Sequence, residues 1–165
     1  MESHPEDAKC IFCKIINGEL PSHTVMENEK VVAFLDINPL HPGHTLIVPK
    51  GHYASLDQLP AALAAACMEV APAIGGALMK ATGTQAFNII QNNGKIAGQE
   101  VFHVHFHVVP RSAGDAMSGS WCKWRAQSLA NRDAKMLLRS ISEFLPATTQ
   151  GTPSAQPSPP SQPPA

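Results

Sequence analysis

The stretch VFHVHFHVVPR, residues 101–111, sets His103, His105 and His107 at every second position between Val, Phe and Val. On a strand, side chains at i and i+2 point the same way, with Cα atoms roughly 7 Å apart. The three imidazoles therefore share one face, and Val104, Phe106 and Val108 share the other. The apolar set is fit to pack under a helix. The imidazole set must be hydrogen-bonded, metal-bound or chemically engaged, because an unsatisfied buried imidazole is costly. Two chemistries are open to it. Adjacent imidazoles of an H-x-H strand can chelate one metal. Alternatively, one neutral ring acts as nucleophile or base, its tautomer fixed by a partner on the other nitrogen.

The elements around this strand give the fold class. CIFCKIING, from Cys10, has Phe12, Ile15 and Ile16 at helical spacing with Gly18 as a stop, which predicts one or two helical turns. HTVMENEKVVAFLD reads as two strands joined by a polar turn at Glu27–Lys30, and HTLIVP as a short strand closed by Pro49 and Gly51. A long helix is expected between about Ser55 and Lys80, then a strand in QAFNIIQNN, then the histidine strand over 101–109. A further helix is expected from about Asn131 to Phe144. One long helix with five short strands, several joined by hairpin-length turns, predicts an α+β fold on an antiparallel sheet.

Composition narrows the function. A chain of 165 residues suits one domain with a real core. Seven of its fifteen prolines lie in residues 146–165, a segment without charge, aromatics or hydrophobic period, so 146–165 reads as a disordered tail. A ligand for a proline-reading module is the functional alternative for it. Residues 1–9 read as an N-terminal arm and 10–145 as the domain. A net charge of −1 without a basic cluster gives no nucleic-acid footprint. The opening MESHPEDAKC has no apolar core of a secretory signal. The longest apolar run, 59–81, carries Glu69, Pro72 and two glycines, and reads as a core helix in place of a membrane span. The four cysteines are then expected as reduced thiols or metal ligands in a cytoplasmic protein, with the nucleus also open to it. Cys10 and Cys13 form a C-x2-C chelate spacing with no second such pair at zinc-finger distance.

The segments FCKIINGELPS, VVAFLDINPLHPGHTLIVPKGH and NIIQNNGKIAGQEVFHVHFHVVPR, taken in order, resemble the histidine-triad (HIT) family over residues 10 to about 111. The resemblance implies that family's fold: a five-stranded antiparallel sheet with one long helix, a short N-terminal helix and a C-terminal helix. It also implies a homodimer. Cys13 is followed by His52 after thirty-eight residues and His52 by His103 after fifty, as in the family's zinc-containing subset. By resemblance, Cys10, Cys13, His52 and His103 hold one structural Zn²⁺ per chain, and two thiolates with two neutral imidazoles make a closed tetrahedral site. His105 is then the implied nucleophile toward the phosphorus bonded to a nucleoside, with His107 and His44 as donors to phosphate oxygens and no catalytic cofactor. Backbone N–H groups near Gly98–Val101 are implied to help offset charge at the phosphoryl centre. Asp36 maps onto the ribose-binding carboxylate, Asn92 onto a phosphate contact, and Gln99 onto a position beside the leaving group. Phe12, Ile15, Phe34 and Ile37 match positions that sandwich a purine. Glu100 departs from the small hydroxyl residue of the animal phosphoramidase branch, and either repels polyphosphate and welcomes an amine, or points away from the histidine face.

The resemblance thus implies a hydrolase of purine nucleoside 5′-phosphoramidates or mixed anhydrides that releases a nucleoside monophosphate. Three other functions compete: dinucleoside polyphosphate cleavage, a non-catalytic nucleotide-binding scaffold, and a catalytic-zinc hydrolase.

Overall fold

The computed structural model describes residues 6–115 and 128–147. The expected tail falls, from residue 148 onward, outside the described residues. In chain order the elements are α1 (Ile11–Ile16), β1 (Thr24–Glu27), β2 (Val31–Leu35), β3 (Thr45–Pro49), α2 (Ala61–Thr82), β4 (Ala86–Ile90), β5 (Phe106–Arg111) and α3 (Asn131–Phe144). The strands form one antiparallel sheet in the order β1-β2-β3-β5-β4.

Strand alternation divides the sheet into two apolar faces. Val31, Ala33 and Leu35 of β2, Ile47 of β3 and Val108 of β5 face α2, where they meet Cys67, Ile74 and Leu78. Ile141 and Leu145 of the α3 region close the same core. Val32, Phe34, Leu46 and Val48 face the other way and are covered by Phe12 and Cys13 of α1. All five residues of β2 and of β3 are buried, as expected for strands covered on both sides. The expected fold class is the one observed.

Among the described residues α2 is the helix long and apolar enough to cross a membrane by length and composition. Here one side of it is core. Pro72 lies inside α2 but on its exposed side, so the carbonyl that loses its intrahelical partner is directed toward water. The helix ends at Gly83, whose φ of 68° is the left-handed C-terminal cap that favours glycine. It starts at Ala61 instead of near Ser55, because Leu56–Gln58 forms a separate 3-10 turn and Pro60 precedes the helix as its N-cap.

One difference bears on the site. β5 begins at Phe106, so His103 and His105 lie in the segment that leads into it and His107 alone is within the strand. The neighbours explain this. β4 ends at Ile90, opposite His107, and β3 pairs only as far as Ile47, opposite Phe106. The lead-in finds other partners, with Val104 N–H donating to the Tyr53 carbonyl at 2.7 Å. The alternation survives the loss of pairing: Val104, Phe106 and Val108 all enter the α2-side core.

Candidate functional site

His44, His52, His103, His105 and His107 divide between two clusters on the α1 side of the sheet. The first comprises Cys10, Cys13, His52 and His103, whose donor atoms all lie within 4.8 Å of one another. Cys10 caps α1 and Cys13 lies three residues on, so one helical turn presents both thiols together. Cys13 Sγ is 3.4 Å from His52 Nδ1 and 3.6 Å from His103 Nδ1, and Cys10 Sγ is 3.5 Å from His103 Nδ1. A tetrahedral zinc ion with Zn–S of about 2.3 Å and Zn–N of about 2.0 Å holds sulfur and nitrogen ligands roughly 3.6 Å apart. The four residues fit that ion, and with four protein donors the site has no open position for substrate.

Outer contacts aim these ligands. His103 Nε2–H donates to the Pro49 carbonyl at 3.0 Å, which turns the Nδ1 lone pair into the cluster. The Asp7 carboxylate lies 3.9 Å from His52 Nε2, and Asp7 N–H donates to Cys13 Sγ at 3.5 Å. Burial pushes the Cys13 thiol up to about 11, a value a bound cation reverses by stabilising the thiolate. The sequence reading missed Asp7 and Pro49. An acid three residues before the first cysteine was a signal for Asp7, but a main-chain carbonyl leaves none.

The second cluster contains His105, His107 and His44, all buried. His105 Nδ1–H donates to the His103 carbonyl at 2.7 Å, so in the neutral ring Nε2 keeps its lone pair. Burial, as the largest effect, holds the His105 pKa below its ordinary value, against the carbonyl bond and the Asp36 and Glu100 carboxylates, which pull it up. His44 Nε2 and His107 Nδ1 are 2.9 Å apart, and Leu40 N–H donates to His44 Nδ1 at 3.2 Å. Burial lowers His44 to about 4 and drives His107 further down. All three rings are therefore neutral at pH 7: one presents a nitrogen lone pair and two serve as uncharged hydrogen-bond partners.

The remaining predicted residues arrange themselves as follows. Phe12 stands edge-on to both His105 and His103, with ring centroids 5.2 and 5.9 Å away, and so walls the two clusters apart. Phe12 packs edge-on against Phe34, and Ile15 and Val101 join their apolar cluster. Ile37 is instead 67% exposed. Asp36 Oδ2 lies 3.6 Å from His44 Nδ1, while its Oδ1 accepts from Asn38 N–H at 2.8 Å. Gly98, with φ of 87°, turns the loop beside Asn92, whose Nδ2 is 3.5 Å from the Gly98 carbonyl. Gln99 is held by the main chain around it. Its buried amide donates to the Ala54 and Val101 carbonyls and accepts from Gly94 N–H, fastening the loop inward, while Glu100 next to it is exposed.

The HIT domain family matches residues 17–114, which include His52 and all three triad histidines but begin after the cysteine pair. The adenylylsulfatase HINT3 of Arabidopsis thaliana is 41% identical over 136 residues, covering 82% of this chain and 66% of that protein. The adenosine 5′-monophosphoramidase HNT1 of Saccharomyces cerevisiae is 47% identical over 121 residues, 73% of each chain. A solved zinc-bound histidine triad family protein from Mycobacterium smegmatis superposes with a TM-score of 0.71 at 33% identity, covering 82% of this chain and 94% of that one. The chain belongs to the HIT domain family.

Proposed function

We propose that this chain is a nucleotidyl hydrolase that cleaves purine nucleoside 5′-phosphoramidates or mixed anhydrides and releases the nucleoside monophosphate. The observation that carries the reading is the His105 ring, held through Nδ1–H by the His103 carbonyl with its Nε2 lone pair available. His105 Nε2 attacks the phosphorus that bears the nucleoside. A bond from that nitrogen to phosphorus forms, the bond from phosphorus to the leaving amine or acid breaks, and a leaving amine departs with one proton taken from solvent, which the water of the second step returns. The carbonyl of His103 then stabilises the positive charge on the substituted ring. Water attacks phosphorus from the leaving-group side, restoring the neutral imidazole and freeing the monophosphate. His44 and His107 orient the phosphoryl oxygens, with the amides of the Gly98–Val101 loop beside them. Asp36 takes the ribose hydroxyls with the carboxylate oxygen that does not hold Asn38 N–H, and the apolar cluster around Phe12 and Phe34 takes the base.

The names of the relatives support hydrolysis at a nucleoside phosphate, one with sulfate and the other with an amine as leaving group. The side chains whose charges bear on His105 include the carboxylates of Asp36 and Glu100. Asp36 is taken up by the ribose, and the exposed Glu100 carboxylate disfavours a sulfate or polyphosphate leaving group, so the phosphoramidate is the better substrate of the two classes. The test is a panel of adenosine 5′-phosphoramidate, adenosine 5′-phosphosulfate, and diadenosine tri- and tetraphosphate, followed by AMP release. Turnover that survives His105→Ala rules the mechanism out, and AMP binding without turnover of any member favours the scaffold alternative.

Zinc at Cys10, Cys13, His52 and His103 belongs to the same proposal, as a staple between α1 and the lead-in to β5. When bound it supplies charge neutralisation for two thiolates and no reaction step. The free thiols of Cys10, Cys13 and Cys67 suit a reducing compartment such as the cytoplasm. A homodimer is proposed through β4, a strand at the sheet edge whose Ile89 is 40% exposed, and light scattering in solution tests it.

A further inference from the structure

We infer that the main-chain N–H of Leu40 is a positioning group that fixes His44, and through it His107, as Nε2–H tautomers. The catalytic consequence rests on the hydrolase reading given above, while the tautomers themselves stand on hydrogen-bond geometry.

A backbone N–H only donates, so His44 Nδ1, 3.2 Å from Leu40 N, is an acceptor. The proton of a neutral His44 is then on Nε2, which donates across 2.9 Å to His107 Nδ1. That makes His107 Nδ1 an acceptor too and puts the His107 proton on its Nε2. The direction of this chain decides what His107 offers a phosphoryl oxygen. In this direction His107 offers an N–H. If the chain ran the other way, His44 Nδ1–H would turn to the Asp36 carboxylate, 3.6 Å away, and His107 would present a lone pair that repels phosphate. Leu40 and Asp36 thus compete for one nitrogen, and they demand opposite protonation of it.

The loop from Asp36 to His44 is built to present the Leu40 amide. Asp36 N–H donates to the His44 carbonyl at 2.9 Å and closes the base of the loop. Asp36 Oδ1 holds Asn38 N–H, and His44 N–H donates to the His41 carbonyl at 2.9 Å. The His41 ring spans the Pro42 carbonyl at 2.9 Å and Ser112 Oγ at 3.0 Å, tying the loop to the end of β5. Gly43, with φ of 92°, lies where a Cβ would come within 3.0 Å of the Thr82 methyl and 3.2 Å of the Pro110 ring. Pro39 and Pro42 fix two further φ angles.

The test reads the tautomers directly, by long-range proton–nitrogen correlation spectra of histidine-labelled protein near neutral pH. The expected pattern is an unprotonated Nδ1 and a protonated Nε2 on both His44 and His107, and a proton on Nδ1 of either ring overturns the assignment. Leu40→Pro removes the donor. It is expected to move the His44 proton to Nδ1 and lower kcat on adenosine 5′-phosphoramidate about tenfold, the worth of one hydrogen bond. Leu40→Ala keeps the N–H and is expected to keep both pattern and kcat. A Leu40→Pro enzyme with wild-type tautomers or wild-type kcat overturns the inference, as does an altered pattern in Leu40→Ala. If Leu40→Pro does not fold, the wild-type and Leu40→Ala spectra decide. Wild-type protein that shows the expected tautomers but turns over neither the phosphoramidate nor any other member of the panel sinks the hydrolase reading and leaves the Leu40 assignment in place.

Discussion

His105 Nδ1 lies 2.7 Å from the main-chain carbonyl oxygen of His103, and this contact joins the two clusters of the site. The His103 ring is a member of the Cys2His2 set, while its carbonyl orients the ring that carries the proposed nucleophile. Whatever holds His103 in place therefore also aims His105, so a metal ion bound at the Cys2His2 set would bear on the proposed reaction through this carbonyl.

His105→Ala should reduce AMP release from adenosine 5′-phosphoramidate by roughly 10³-fold or more, as expected when the nucleophile of a two-step mechanism is lost. A rapidly quenched wild-type reaction on a slow substrate should show a nucleotide adduct on the peptide containing His105 by mass spectrometry. An adduct on His44 or His107 would reassign the nucleophile.

The Cys2His2 cluster should carry one zinc per chain, measured by elemental analysis of purified protein. Cys13→Ser should lose the metal and lower the melting temperature by roughly 10 °C, the shift expected for a loss of about 3 kcal/mol in a domain of this size. Chelation of the wild-type protein should lower the melting temperature in parallel with zinc release. Abrupt loss of turnover on chelation, with the melting temperature unchanged, would instead mark the metal as catalytic.

Much of this was legible in the chain because strand alternation and ligand spacing are local signals. His103, His105 and His107 announced a shared face, and the apolar run VVAFL announced the strand β2. The length of β5 was not legible, because it depends on where β3 and β4 stop, and those ends lie far away in sequence. Nor was the inward turn of Gln99, whose partners Ala54, Val101 and Gly94 act through main-chain atoms. The role of the Leu40 amide is hidden for the same reason, since any residue but proline supplies an N–H. Ile37 was read with the purine-binding set on resemblance, and its exposure shows that the loop after β2 carries it to the surface.

Two adjacent glycines in α2 should respond in opposite directions. A Cβ on Gly75 would lie 2.5 Å from the Phe87 ring, with two more ring atoms within 2.8 Å, and the ring is packed against the core. Gly75→Ala should therefore destabilise the fold by about 1–3 kcal/mol through overpacking. A Cβ on Gly76 meets nothing within 4 Å, so Gly76→Ala should stabilise it by about 0.5–1 kcal/mol through helix propensity. Urea denaturation of the two variants measures both.

The buried imidazoles should make the protein acid-sensitive well above the carboxylate range. Burial lowers the pKa of His44, His105 and His107 in the folded state, His44 to about 4, from an ordinary value of 6.5. Between those values the unfolded chain binds more protons than the folded one, so stability rises with pH across that window. The contribution is complete above about pH 6.5 and is lost as pH falls toward 4, where protonation of His44 sets a new N–H against that of Leu40. Thermal melts from pH 8 to pH 4 should show a level melting temperature at the alkaline end and a steady fall below about 6.5. Zinc release contributes in the same direction, so the wild type is compared with His107→Asn, which keeps all four metal ligands and removes one of the depressed rings. That variant should show a shallower fall over the same range. A slope unchanged in His107→Asn would mean that the His107 ring takes up its proton as readily in the folded protein as in the unfolded chain, and a melting temperature that rises on acidification to pH 5 would mean that the fold holds a histidine charged.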